Sequence, residues 1–313
     1  MSGDGSPSKI GTSCRSAKDS AAVTVHDASE DPELDDEVTL ESACLWDTGC
    51  KEPDFAILIF LHYHGMVFLG GESMQLDGTK NDLPLLLDFL GYRHRPTAQA
   101  LRFYVLADFD CVYTDCEGIT NFIPTIQPTK ACIAHTIVQA TRGGGSGLIF
   151  YGGHCERGDS PRPFLLPWDR IPIYSNEFYS WLSRFCKPGT TITIVLDACE
   201  TEPFLADITR RFQQDRARHR HLGDQLVVVS AAGAGQRAGT VEVGEPGLGR
   251  RHGTLTWYLT NYLRFHPNLP ATVLEACLAA SCICPKAILP HPYALQRPRI
   301  VAIPPLLSPF RLL

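Results

Sequence analysis

The run DFAILIFLHY at 54–63 is apolar at successive positions, so an extended chain here would bury both of its faces. Strands of that kind belong inside a sheet covered on two sides. The same pattern returns in LRFYVLAD at 101–108, in GLIFYG at 147–152, in the β-branched TTITIVLDA at 190–198 and in QLVVVSAAG at 225–233. Between these runs the periodicity changes to three or four residues. NDLPLLLDFLGY at 81–92 repeats leucine at 83, 86, 87 and 90 and ends at Gly91, which predicts a helix closed by a glycine. PTKACIAHTIVQATR at 128–142 places Ile133, Ile137 and Val138 on one side after an early proline, a second helix. Further helices are expected at 176–186, 203–214, 253–265 and 270–282, and a long loop at 109–127. Strands alternating with helices predict an α/β fold, a mostly parallel sheet flanked by helices on both faces.

Residues 1–50 break the pattern. They are rich in Ser, Asp, Glu and Gly, and few large apolar residues precede Leu45-Trp46. The expectation is a disordered amino-terminal segment or pro-segment at 1–50, followed by one domain at 51–313. A net charge of −6 gives no electrostatic footprint for nucleic acid. The basic run RRFQQDRARHRH at 210–221 reads as a solvated helix end or loop. No stretch reaches the roughly 18–20 apolar residues of a membrane span, and the amino terminus lacks a signal-peptide core, so a cytoplasmic address is expected. Twelve cysteines are scattered without paired spacing, so neither a disulfide framework nor a zinc site is expected.

Candidate chemistry sits where two buried strands end. The first runs into Gly152-Gly153-His154-Cys155, the second into Asp197-Ala198-Cys199. Ligands in open α/β sheets bind beyond the carboxyl ends of strands. If these two are neighbours, they bring an imidazole and a thiol to one crevice. A thiol needs a base to become a nucleophile, and the resulting imidazolium can protonate a leaving amine. A loop histidine and a core cysteine remain the plain alternatives. GGGSG at 143–147 follows a helix and precedes a strand, the wrong order for a nucleotide-binding loop.

LIFYGGHCERGD resembles the FYSGHG histidine motif of caspases and metacaspases, and TIVLDACETEPF resembles their DSCHSG cysteine motif. LDGTKNDLPLLLDFLGY is similar to the family's L-x-G-x-x-N-D segment, PTKACIAHTI to its PTKANI helix, and LVVVSAAGAGQRA with GRRHGTLTWYLTNYL to its later strand and helix. The resemblance covers about 54–303 in consistent order. It implies a caspase-hemoglobinase fold and a cysteine endopeptidase acting on protein or peptide substrates. His154 would be base and acid, Cys199 the nucleophile, and the backbone N–H groups of Cys155 and Cys199 the oxyanion hole. Asp82 and Asp197 would bind the side chain before the cut. Two carboxylates on a pocket floor suit a guanidinium, so arginine or lysine is expected there. A helix-capping Asp82 and a hydrogen-bonded strand-end Asp197 are the alternatives.

Three departures bear on activity. Cys155 replaces the usual glycine, and would be strained if that position needed a positive φ. Glu200 and Glu202 follow the nucleophile and are expected to raise its pKa. The acidic pair that helps bind calcium in many metacaspases aligns with Ser175-Asn176, leaving Asp207 as a single further carboxylate. No cofactor or metal site is therefore expected, with calcium left open as a weak alternative on that one carboxylate. A weak or inactive caspase-like domain serving as a binding module stays open beside the enzyme, as does the oligomeric state. The loops at 216–224 and 241–251 are candidate sites of self-cleavage.

Overall fold

The structure is a computed structural model. It describes residues 55–91, 101–114, 120–142, 145–157, 162–184, 190–218, 225–244, 249–267, 269–282 and 296–305. The segment 1–50, the first two glycines of GGGSG and parts of both candidate cleavage loops lie outside the described residues. In chain order the elements are β1 (Phe55–Phe60), α1 (Thr79–Phe89), β2 (Arg102–Ala107), β3 (Cys111–Thr114), β4 (Thr120–Ile123), α2 (Lys130–Arg142), β5 (Gly147–Gly152), β6 (His154–Arg157), β7 (Pro163–Leu166) and β8 (Ile173–Tyr174). Then come α3 (Ser175–Ser183), β9 (Thr191–Asp197), α4 (Thr201–Ala217), β10 (Gln225–Ser230), β11 (Thr240–Val243), β12 (Arg250–Gly253), α5 (Thr254–Phe265), α6 (Ala271–Ser281) and β13 (Arg299–Ile303).

Six strands form the central sheet in the order β13-β10-β9-β5-β1-β2. Every neighbouring pair is parallel except β10–β13. This is the mostly parallel α/β sheet that the apolar runs predict. Alternate residues of β1 feed two cores. Phe55, Ile57 and Ile59 pack with α2, α3 and α4, while Ala56, Leu58 and Phe60 pack with α1, α5 and α6. All six of these β1 residues are fully buried, which is why the strand carries no polar face. Leu83, Leu86, Leu87 and Leu90 are buried against the second core, and Gly91 closes α1 at φ +67°, a conformation that glycine adopts without a Cβ clash.

The expected loop at 109–127 contains the β3–β4 hairpin instead, with Cys111 paired to Ile123 and Val112 to Phe122. Four-residue strands give too short an alternation to register in a sequence. The small sheet β6-β7-β8, the hairpin β11–β12 and the edge strand β13 also went unmarked for this reason.

Gly147 starts β5 opposite Phe55. A Cβ there would lie 2.0 Å from the Phe55 ring, so the strands can pair at this level only because the position has no side chain. Gly147→Ala is expected to destabilise the fold by about 1–3 kcal/mol, read as a lower urea midpoint with an unchanged slope.

Candidate active site

β5 and β9 are adjacent and parallel, with Gly152 level with Asp197. His154 and Cys199 each lie two residues past that level, at the carboxyl end of the sheet. The chain between them holds β6, β7, β8 and α3, the hairpin and crossover helix that a parallel connection needs. Both side chains are partly exposed.

The His154 ring is fixed on several sides. Its Nε2 donates to the Met74 carbonyl at 2.7 Å. Tyr63 and Phe68 flank it at ring separations of 4.8 and 5.2 Å, and the backbone N–H of His154 donates to the Tyr63 hydroxyl. Because Nε2 carries the proton in the neutral ring, Nδ1 holds the lone pair. Nδ1 lies 3.7 Å from the Glu156 carboxylate. Burial pushes the imidazole pKa below its ordinary value, opposed by the Met74 bond, so the ring is a free base at neutral pH.

Cys199 sits in the turn from β9 into α4. Its Sγ accepts the Ala238 N–H at 3.3 Å. Burial raises the thiol pKa; the Ala238 bond and Arg237 oppose this, while Glu156 and Asp197 reinforce it. Among the carboxylates, Glu156 and Asp197 act most on the thiol. Glu200 pairs with Arg157 and Glu202 faces Arg299. No hydrogen bond joins His154 to Cys199; Glu156 is the group that faces both.

Cys155 is buried in β6 opposite Leu165. Among the described residues the non-glycine positions with positive φ are Tyr63, Arg170 and Glu200, so Cys155 does not carry the strain that its place after the histidine suggested. Two of these left-handed residues lie at the site: Tyr63 packs against the His154 ring, and Glu200 follows Cys199. Strained backbone concentrates at functional sites, where the surrounding structure holds it in place. The Cys155 thiol points to the Glu200 carbonyl at 4.0 Å, and burial raises its pKa far above the ordinary range, with Cys199 adding to the effect.

Asp82 and Asp197 come together around Gly253. A Cβ on Gly253 would lie 2.2 Å from Asp197 Oδ2 and 3.0 Å from Asp82 Oδ2. Asp82 is in the first turn of α1 but makes no capping bond. It accepts instead from His252 Nδ1 and the Gly253 N–H, each at 2.9 Å. Burial raises its pKa to about 7, opposed by the His252 bond and reinforced by the Asp197 charge. Asp197 Oδ2 accepts the Thr256 N–H at 3.0 Å and the Thr256 hydroxyl at 2.6 Å. Its pKa is also raised by burial, against those two bonds. Its Oδ1 has no donor among the described residues.

The residues aligned with a calcium site do not fit that ion. Ser175 donates to Asp207, and Arg210 and Arg211 pair with the same carboxylate, so the one acidic group is already neutralised. Among the described residues no helix is long and apolar enough to cross a membrane. The sequence reading missed three contributors: the Met74 carbonyl, Glu156 and Arg237. The first has no side-chain signature, and the other two lie in short segments that resemble ordinary loops.

No family model matches the chain, and no curated protein matches it. Among solved structures it is similar to a crystal structure of a protein from Geobacter sulfurreducens, at 14% identity and a TM-score of 0.48, over 80% of this chain and 93% of that one. It is also similar to pro-sf-caspase-1, at 11% identity and a TM-score of 0.43, over 80% of this chain and 90% of the other.

Proposed function

We propose that the chain is a cysteine endopeptidase of the caspase and metacaspase type, cutting after arginine or lysine. One observation carries the reading: an imidazole held by a backbone carbonyl, and a thiol, end adjacent parallel strands beside the carboxylates of buried Asp82 and half-buried Asp197. His154 Nδ1 takes the Cys199 proton as Sγ attacks the scissile carbonyl. The Met74 carbonyl stabilises the imidazolium through Nε2–H. The backbone N–H groups of Cys199 and Cys155 receive the developing oxyanion. Nδ1–H then protonates the departing amine, and water drawn in by the same nitrogen releases the acyl group. With the ring neutral and the thiol protonated at rest, proton transfer accompanies attack instead of preceding it. Asp197 Oδ1 and Asp82 face the guanidinium or ammonium of the residue before the cut.

An arginine-containing peptidyl ketone electrophile tests this directly. About one equivalent per chain is expected to attach under reducing conditions, lost in Cys199→Ala and kept in Cys155→Ala. A second reading, a caspase-like binding module without turnover, is favoured by the missing bond between His154 and Cys199 and by the raised thiol pKa. Absence of labelling, with and without calcium, decides for that module.

A further inference from the structure

The residues that hold His154 also carry an apolar surface which the dyad itself does not use. Residues 66–74 fold back on themselves. Val67 bridges Ser73, Met74 N–H donates to the Met66 carbonyl, and Gly71 at φ +83° turns the tip through its bond to Phe68. Two residues of this hairpin grip the imidazole, Phe68 by its ring and Met74 by its carbonyl. Its outer side chains are left in solvent: Val67 is 48% exposed and Leu69 71%. Single exposed aliphatic residues are ordinary, but two on the hairpin that holds the histidine mark a contact surface.

We infer that this surface binds the part of the substrate that follows the scissile bond, and that it selects aliphatic residues there. The inference rests on the peptidase reading above. The leaving amine must come within hydrogen-bond reach of the imidazole that protonates it. The amine belongs to the first residue after the cut, so the departing chain passes over the groups flanking His154. The carboxylate pair, which would hold the residue before the cut, surrounds Gly253 and is built from α1, β9 and β12, not from this hairpin. Apolar contact sets the preference. The hairpin itself carries one carboxylate, Glu72, and no cation. Leucine or valine after the cut loses water against Val67 and Leu69, which a glutamate carboxylate cannot do without losing its hydration.

The test uses the full chain and three internally quenched peptides with one sequence up to and including arginine, followed by Leu-Leu, Gly-Gly or Glu-Glu. An arginyl coumarylamide, which has no residue after the cut, reports on the dyad and the acidic pair alone. The wild type is expected to cleave Leu-Leu at least about tenfold faster in kcat/KM than Glu-Glu, within the range that apolar pockets discriminate. In Leu69→Glu that ratio is expected to fall to near unity. Leu69 is exposed, so the substitution does not disturb a core, and Val67→Glu gives an independent second variant. Coumarylamide turnover with equal rates on the three peptides would overturn this inference and leave the peptidase reading standing. A wild-type preference that persists in both glutamate variants would overturn it as well. No turnover of any of the four substrates would remove both.

Discussion

If the proposed peptidase reading holds, His154→Ala is expected to lower kcat/KM for cleavage after arginine by about 10²–10⁴, the range that a positioned acid and base supplies. The size of the expected loss follows from the neighbouring thiol. Cys199 has a raised pKa and a single N–H donor on its sulfur, so it does not supply a standing thiolate. Without a base the nucleophile is scarce, and without an acid the amine leaves as an anion. In the proposed mechanism the ring suits both roles, because burial depresses its pKa and the Met74 carbonyl fixes its tautomer. A variant that folds, by near-ultraviolet dichroism and thermal midpoint, yet stays within about tenfold of wild type would show that another base serves Cys199. Glu156, which faces both groups, would then be the first to replace.

How far the chain announced this arrangement depended on the length of each signal. Runs such as Phe55–Phe60 and Thr191–Asp197 are long and apolar on both faces, so the parallel core could be read directly, and with it the two strand ends that carry His154 and Cys199. Strands of four residues could not, because β3 and β4 alternate over only two inward positions, Cys111 with Ile123 and Tyr113 with its partner. Edge strand β13 alternates between exposed and half-buried residues and has no fully apolar face to detect. The acidic pair was expected as a binding pair through the family resemblance, but its surroundings were not. Its Gly253 spacer, its His252 cap and the Thr256 bonds come from β12 and α5, and only the tertiary fold brings them to Asp82. Glu200 and Glu202 follow the nucleophile in sequence, yet Glu156 and Asp197 are the carboxylates that act most on the thiol. The left-handed turn at Glu200 sends both side chains to arginines.

Asp82→Asn separates what the acidic pair does for binding from what it costs the fold. In the wild type the Asp82 carboxyl titrates at about 7, raised from 3.8 by burial and by the Asp197 charge despite its bonds to His252 and Gly253. A carboxyl whose native pKa lies above its unfolded value keeps its proton longer in the native state. Stability therefore falls as pH rises from about 4 to about 7 and levels off above that, a contribution of about 2–4 kcal/mol by linkage. The asparagine variant is expected to lose this part of the slope, measured by urea unfolding at pH 5, 6 and 8. For activity the sign reverses. Only the ionised carboxylate attracts a guanidinium, so on the proposed reading wild-type kcat/KM for arginine substrates is expected to rise through pH 7, while His154, already a free base, sets no acid limb there. In Asp82→Asn the rise disappears and kcat/KM at pH 8 drops by about 30- to 1,000-fold, the scale of removing one charged partner from a buried ion pair. Retained arginine preference with an unchanged pH profile would remove Asp82 from the binding site, and an unchanged stability slope would show that its carboxyl does not titrate near neutrality. The two outcomes are independent, because unfolding is measured without substrate.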